Sequence, residues 1–213
     1  VGLLGGGKVG RGKRRDRSMR SATFEGAADE NGVPTPAYHQ LYKQLAAHGV
    51  GAVITGFTYI DAKGKAMHPG QAGSDSMEKV VAFSQLTKML HHYDCRAFMQ
   101  IAHTGRQTLQ RVTGSQPVGA SSKKSSYFNE TPHVLTTDEV DGIVDKFGNA
   151  ALVAQKAGFD GVQLHAAHGY LIHQFLLPSI NQRKDEFKPD PKTNVGTRFL
   201  EKIIVDVRMK CGN

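Results

Sequence analysis

Residues 165–170 read His-Ala-Ala-His-Gly-Tyr, so two imidazoles and a phenol stand close together ahead of the apolar run LIHQFLLP. Three chemistries compete for such a grouping. One or both histidines can be satisfied structural side chains. His165 and His168 also form an HxxH pair that His103 or His173 would complete as a metal site, although no Asp or Glu lies close by in sequence. The third chemistry is anion stabilisation: two neutral imidazoles, each with one N–H to donate, converge on a carbonyl oxygen and stabilise the charge it gains during reaction. A phenol with a pKa near 10 then serves as the proton donor. Such a constellation suits conjugate reduction, but no side chain supplies hydride, so that reading requires a redox cofactor.

These groups need elements to aim them. From residue 17 onward, short extended segments alternate with amphipathic helices. Thr35 as N-cap, Pro36 at the first helical position, the face Tyr38, Leu41, Tyr42 and Leu45, and Gly49 as the stop predict the first helix. The unbroken apolar run GVGAVITGF predicts a strand covered on both faces. Asp75 and Glu78 open a second helix that leads to the strand CRAFMQIAH. Thr136 and Glu139 form a capping box before the stripe Val140, Ile143, Val144, Phe147, Ala151 and Ala154, and Gly158 ends that helix before FDGVQLH. A short helical piece over 171–177 and a last helix bearing Phe199 and Ile203 follow.

Strands are thus expected near 18–23, 50–57, 95–101 and 159–165. Strand–helix alternation implies parallel βαβ units, in either an open doubly wound sheet or a (β/α)8 barrel. Polar clusters gather after the strands' C-terminal ends, where barrel active sites sit. Four units make half a barrel, and the long 103–135 segment is expected to form a functional loop over that face.

The 213 residues, 39% hydrophobic and 22% charged, describe an ordinary folded chain. No apolar run approaches the roughly 18 residues of a membrane span, which argues against a membrane partner. Cys95 and Cys211 make no disulfide framework and no zinc spacing, so a cytoplasmic address is expected. Seven basic residues (Lys8, Arg11, Lys13, Arg14, Arg15, Arg17 and Arg20) against Asp16 alone carry most of the formal +8. That basic leader, residues 1–16, is expected to be disordered. It lacks interleaved aromatics and the body supplies no basic face, so nucleic acid is not the expected partner. Gly5, Gly7 and Gly10 fit GxGxxG, and Gly2, Gly7 and Lys8 fit GxxxxGK, but no strand precedes either loop to make a phosphate site.

Four blocks go further: RSMRSATFEGAAD, GVGAVITGFTYI, CRAFMQIAHTGRQ and AGFDGVQLHAAHGYLIHQFLLPSINQR. In this order, each at a strand end, they resemble the old yellow enzyme family of FMN-dependent NAD(P)H oxidoreductases and ene-reductases from about Arg17 to the C-terminus. The resemblance implies an α/β fold, a (β/α)8 TIM barrel with FMN at its C-terminal mouth, of which about the first four βα units are present. It implies that Ser21, Ala22 and Thr23 lie along the flavin, with the Thr23 hydroxyl near O4. Gly56 would let the backbone approach the ring, and the Gln100 amide would meet its pyrimidine edge. His165 and His168 would hold a substrate oxygen, and Tyr170 would protonate the substrate. NADH or NADPH would reduce FMN, and hydride would then pass to an α,β-unsaturated carbonyl or nitro compound.

Departures from that pattern are also visible. The glycine- and lysine-rich leader stands where the family has a short capping segment, and KPDPKTNVG follows NQRKDEF where a glycine pair is usual. The sequence stops where a fifth strand would begin, so a truncated barrel with an incomplete cofactor site, poor flavin affinity and edges open to homo-oligomer formation is expected. Two other readings stand beside the reductase: a non-catalytic interaction module, and a metal-dependent barrel hydrolase using His103, His165 and His168.

Overall fold

A computed structural model describes residues 18–212, together with the backbone of 7–9 and 12–14. Its helices begin where the sequence supplies caps. In α1 (Pro36–Ala47) the Thr35 hydroxyl accepts the Tyr38 N–H at 3.3 Å, Tyr38, Tyr42 and Ala46 are buried, and Gly49 follows at φ 95°. The cap of α2 (Val80–His92) differs from expectation. A 3₁₀ turn over Met77–Lys79 precedes the helix, so Ser76 caps it through the Glu78 N–H at 3.2 Å, and Asp75 instead pairs with Lys79. α3 (Thr137–Lys156) carries a reciprocal capping box: Thr136 Oγ1 accepts from Glu139 N–H at 3.2 Å, and Glu139 Oε2 from Thr136 N–H at 2.8 Å. Two further helices follow, α4 (Leu171–Leu176) and α5 (Arg198–Cys211).

The chain forms two compact units, Val1–Thr58 with His68–Ile101 and Val153–Gln163, and Tyr59–Met67 with Ala102–Leu152 and Leu164–Asn213. In the first, β1 (Met19–Arg20) pairs in parallel with β2 (Ala52–Ile54), and β2 in parallel with β3 (Arg96–Ala102). β4 (Gly161–Leu164) pairs with β3. These four strands lie side by side in chain order, with Thr58–Tyr59 also pairing with β3, and that is barrel order rather than the switched order of a doubly wound sheet. β2 is buried throughout, whereas β3 alternates: Ala97, Met99 and Ile101 are buried while Phe98 and Gln100 are half-buried. β1 is shorter than the expected 18–23, because the chain leaves the ladder at Ser21. The Asp160 carboxylate ties strand starts together, accepting from the Ala97 N–H at 2.8 Å and from Arg96 at 2.5 Å.

The second unit has an aromatic core in which the Phe175 ring lies 4.4 Å from Phe199 and 6.0 Å from Phe187. The long 103–135 segment is ordered by its own bonds. Val118–Gly119 pairs with His133–Val134, and Arg106 donates to the carbonyls of Lys123 and Lys124. Arg183 clamps the end of the segment by donating to the Ala120 and Leu135 carbonyls.

Within the leader, Gly7–Val9 pairs antiparallel with Gly12–Arg14. Its other positions, including Gly2, Gly5 and Gly10 of the glycine motifs, lie outside the described residues. Among the described residues no helix is long and apolar enough to cross a membrane.

Candidate active site

The chain emerging from β4 turns sharply after Ala167. His168 and Gly169 take left-handed conformations at φ 57° and 72°, and the Tyr170 N–H closes the turn on the Ala167 carbonyl at 3.1 Å. A β-carbon at Gly169 would press on the Gln107 amide at 2.7 Å, and the positive φ of 72° strains any side chain there. The turn is held from several sides. Gln107 donates to the His168 carbonyl at 3.2 Å, the Gly169 N–H donates to His173 Nδ1 at 2.9 Å, and the fully buried Gln174 donates to the Gly169 carbonyl at 2.8 Å.

That turn gathers the three expected rings. His165 and Tyr170 have centroids 4.5 Å apart, His165 and His168 5.0 Å, and His168 and Tyr170 6.4 Å. His165 is buried, and its Nδ1 lies 3.4 Å from the Ala167 backbone nitrogen. Burial, reinforced by the neighbouring His168, lowers its pKa to about 4, so the ring is neutral at pH 7. Burial also raises the Tyr170 pKa, keeping the phenol protonated. A neutral N–H donor thus lies beside a phenol that retains its proton.

His173 and His103 take other work. His173 holds the turn, and His103 Nδ1 accepts the Gly105 N–H at 3.0 Å. Among the described residues no group of three or more His, Cys, Asp or Glu side chains could hold a metal ion, so the hydrolase reading has no ligand set.

The expected cofactor positions belong to the first unit. Ser21 and Thr23 are exposed with Ala22 half-buried between them, so the two hydroxyl-bearing residues share the uncovered side of the segment. Gln100 donates through Nε2 to Gln163 Oε1 at 2.7 Å, and its backbone N–H bonds to Thr55 Oγ1 at 3.2 Å. Gly56 meets protein: a β-carbon there would lie 2.1 Å from a Glu25 carboxylate oxygen and 2.7 Å from the Thr23 carbonyl. Glu25, which sequence reasoning passed over, accepts the Gly56 N–H at 2.6 Å and the Tyr42 hydroxyl, and burial raises its pKa. Gln163 was missed as well. Its signal is a polar residue alternating with apolar ones in FDGVQLH, the same signal that marks Gln100.

The profile of the NADH:flavin oxidoreductase / NADH oxidase family matches residues 8–213. The chain belongs to this family. The family is named for its flavin, FMN, and for NADH. An NADH oxidase of Thermoanaerobacter brockii is 35% identical over 186 residues, covering 87% of this chain and 29% of that protein. An NADPH dehydrogenase of Listeria monocytogenes is 35% identical over 159 residues, 75% of this chain and 46% of its own length. Among solved structures, an old yellow enzyme homologue from Zymomonas mobilis superposes with a TM-score of 0.87 at 31% identity, over 100% of this chain and 61% of that one. Morphinone reductase superposes with a TM-score of 0.88 at 25% identity, over 99% and 59%. The strands are therefore units of an old yellow enzyme (β/α)8 barrel, and the chain spans about three-fifths of those solved relatives.

The residues present suit part of a flavin site. Phe98 and Gln100 alternate with buried residues, so one face of β3 carries a half-buried amide that is bonded to the exposed Gln163 amide. Each amide keeps a donor or an acceptor beyond that bond, and a flavin pyrimidine edge presents both kinds of group. Gln100 and Gln163 would hold that edge, and Ser21 and Thr23 would add hydroxyls.

Proposed function

We propose that the chain carries the catalytic residues of an FMN-dependent NAD(P)H oxidoreductase that reduces electron-poor alkenes. The observation that carries this reading is the cluster of His165, His168 and Tyr170, with His165 neutral and Tyr170 protonated. Bound FMN would supply hydride transfer, from NADH or NADPH to the β-carbon of the alkene. His165, through its ring N–H, and His168 hold the carbonyl or nitro oxygen of the substrate and stabilise the charge it gains. Tyr170 delivers the proton to the α-carbon as general acid. Ser21, Ala22, Thr23, Gly56 and Gln100 help to hold the flavin, and Gly56 also leaves room for the Glu25 carboxylate and the Thr23 carbonyl packed against it.

Relatives support an alkene substrate. An NADH:fumarate oxidoreductase of Klebsiella pneumoniae is 36% identical over 148 residues, and an NADH:acrylate oxidoreductase of Vibrio harveyi is 31% identical over 172. Two cysteines without a disulfide-framework spacing fit a cytoplasmic location.

The test separates the two half-reactions. FMN is titrated into the protein, and flavin reduction by NADPH and reoxidation by cyclohexenone are followed by stopped-flow absorbance. Tyr170→Phe is expected to slow reoxidation by about 10²–10⁴-fold while leaving flavin reduction unchanged. Equal losses in both half-reactions would remove Tyr170 from the role of proton donor.

A further inference from the structure

Apart from the ring cluster, the second unit holds a cleft of about 190 Å³ between the 61–63 turn, the 103–135 segment and α3. Its acidic side chains already have partners. Asp61 accepts the Lys63 N–H at 3.0 Å and pairs with Lys146, and Glu139 accepts from His133 and from the Thr136 N–H. His103 and Lys63 are in a different position. The His103 ring is 2% exposed and packs on Gly64, where a β-carbon would lie 2.6 Å from it. Because its Nδ1 accepts the Gly105 N–H, the ring proton sits on Nε2. That N–H has no hydrogen-bond partner among the described residues, and neither has the Lys63 ammonium. Burial, only partly offset by Asp61, holds the His103 pKa to about 4, so the ring faces the cleft as a neutral donor at pH 7.

The unpaired polar groups of the cleft are thus both donors, one of them charged, and the remaining wall is hydrocarbon from Val118, Leu135 and Ile143. A fitting occupant brings a negatively charged acceptor and a short apolar chain. We propose that the cleft binds a short-chain monocarboxylate, its carboxylate accepting from His103 Nε2–H and the Lys63 ammonium and its chain lying on Val118, Leu135 and Ile143. A space of about 190 Å³ is ample for the six heavy atoms of butyrate. Neither His165, His168 nor Tyr170 lines it, so this site is separate from the proposed redox centre.

Butyrate titrated into the ¹⁵N-labelled 213-residue protein tests the site by amide chemical shift. Saturable shifts are expected at Lys63, Gly64, Gly105 and Gly142, with none from n-butanol at the same concentrations. Lys63→Met, at an exposed position, is expected to weaken butyrate by about tenfold or more. Gly142 lies on α3 at the cleft, and a β-carbon there meets nothing within 4 Å, so Gly142→Leu should fill the space without forcing a neighbour and abolish the shifts. Absence of saturation by butyrate, equal response to n-butanol, or unchanged butyrate affinity in Gly142→Leu would each overturn the assignment. Flavin plays no part in the titration, so its outcome is independent of the redox reading.

Discussion

His103 and His165 are each held near pKa 4, well below the ordinary 6.5, chiefly because burial strips water from the charged ring. Protons taken up by the unfolded chain between those values are refused by the folded one. The folded-state pKa values are depressed, so the contribution of these rings is fully present above about pH 6.5 and is lost as pH falls towards 4. For the fully enclosed His103 the difference corresponds to about 3 kcal/mol at the acid end. Urea unfolding is therefore expected to show stability declining from pH 7 to pH 4, with a shallower decline in His103→Gln. A flat profile across that window would mean that neither ring is buried as described. Under the proposed function the same neutrality gives each group its own task, the imidazole donating a hydrogen bond and the phenol a proton. The residue types and spacing in HAAHGY announced this cluster, but the neutral state of His165 was not legible, because desolvation depends on what packs around the ring.

At the scale of elements, local signals were read well and their neighbours less so. Thr35, Gly49, Thr136, Glu139 and Gly158 mark helix ends in the structure as they do in the sequence, because caps and stops are settled within a few residues of chain. Ser76 displaced Asp75 as a cap because a 3₁₀ turn, invisible to periodicity, comes first. The first strand is Met19–Arg20 rather than 18–23, and the chain beyond it meets residues far along the sequence, Glu25 accepting the Gly56 N–H. That contact makes a prediction. Gly56→Ala would drive a methyl group against the Glu25 carboxylate and the Thr23 carbonyl, and overpacking of this kind costs about 1–3 kcal/mol. A drop of that size in the urea midpoint is the expected result, and an unchanged midpoint would show that the segment moves aside freely.

For the whole molecule, membership of the NADH:flavin oxidoreductase family and the barrel order of β1 to β4 lead to a ligand-linked test. If the chain takes FMN, flavin at about a hundredfold excess over its Kd should stabilise it by about 2.7 kcal/mol, read as a rise in Tm. Riboflavin, lacking the phosphate, reports how much of that affinity comes from the isoalloxazine groups facing Gln100 and the 21–23 segment. No shift with either flavin would mean that the residues in this chain do not hold the cofactor. The amino-acid sequence by itself determined the main helices, the alternation of strands with them and the identity of the three rings, since apolar periodicity, caps and a short motif are properties of neighbouring residues. Tertiary structure alone decided that Gly56 serves Glu25, that Gln163 partners Gln100, and that His103 turns an unpaired N–H towards a cleft. Each of those facts depends on residues brought together across more than 30 positions of chain, and the distances and burial that result are written only in the packing.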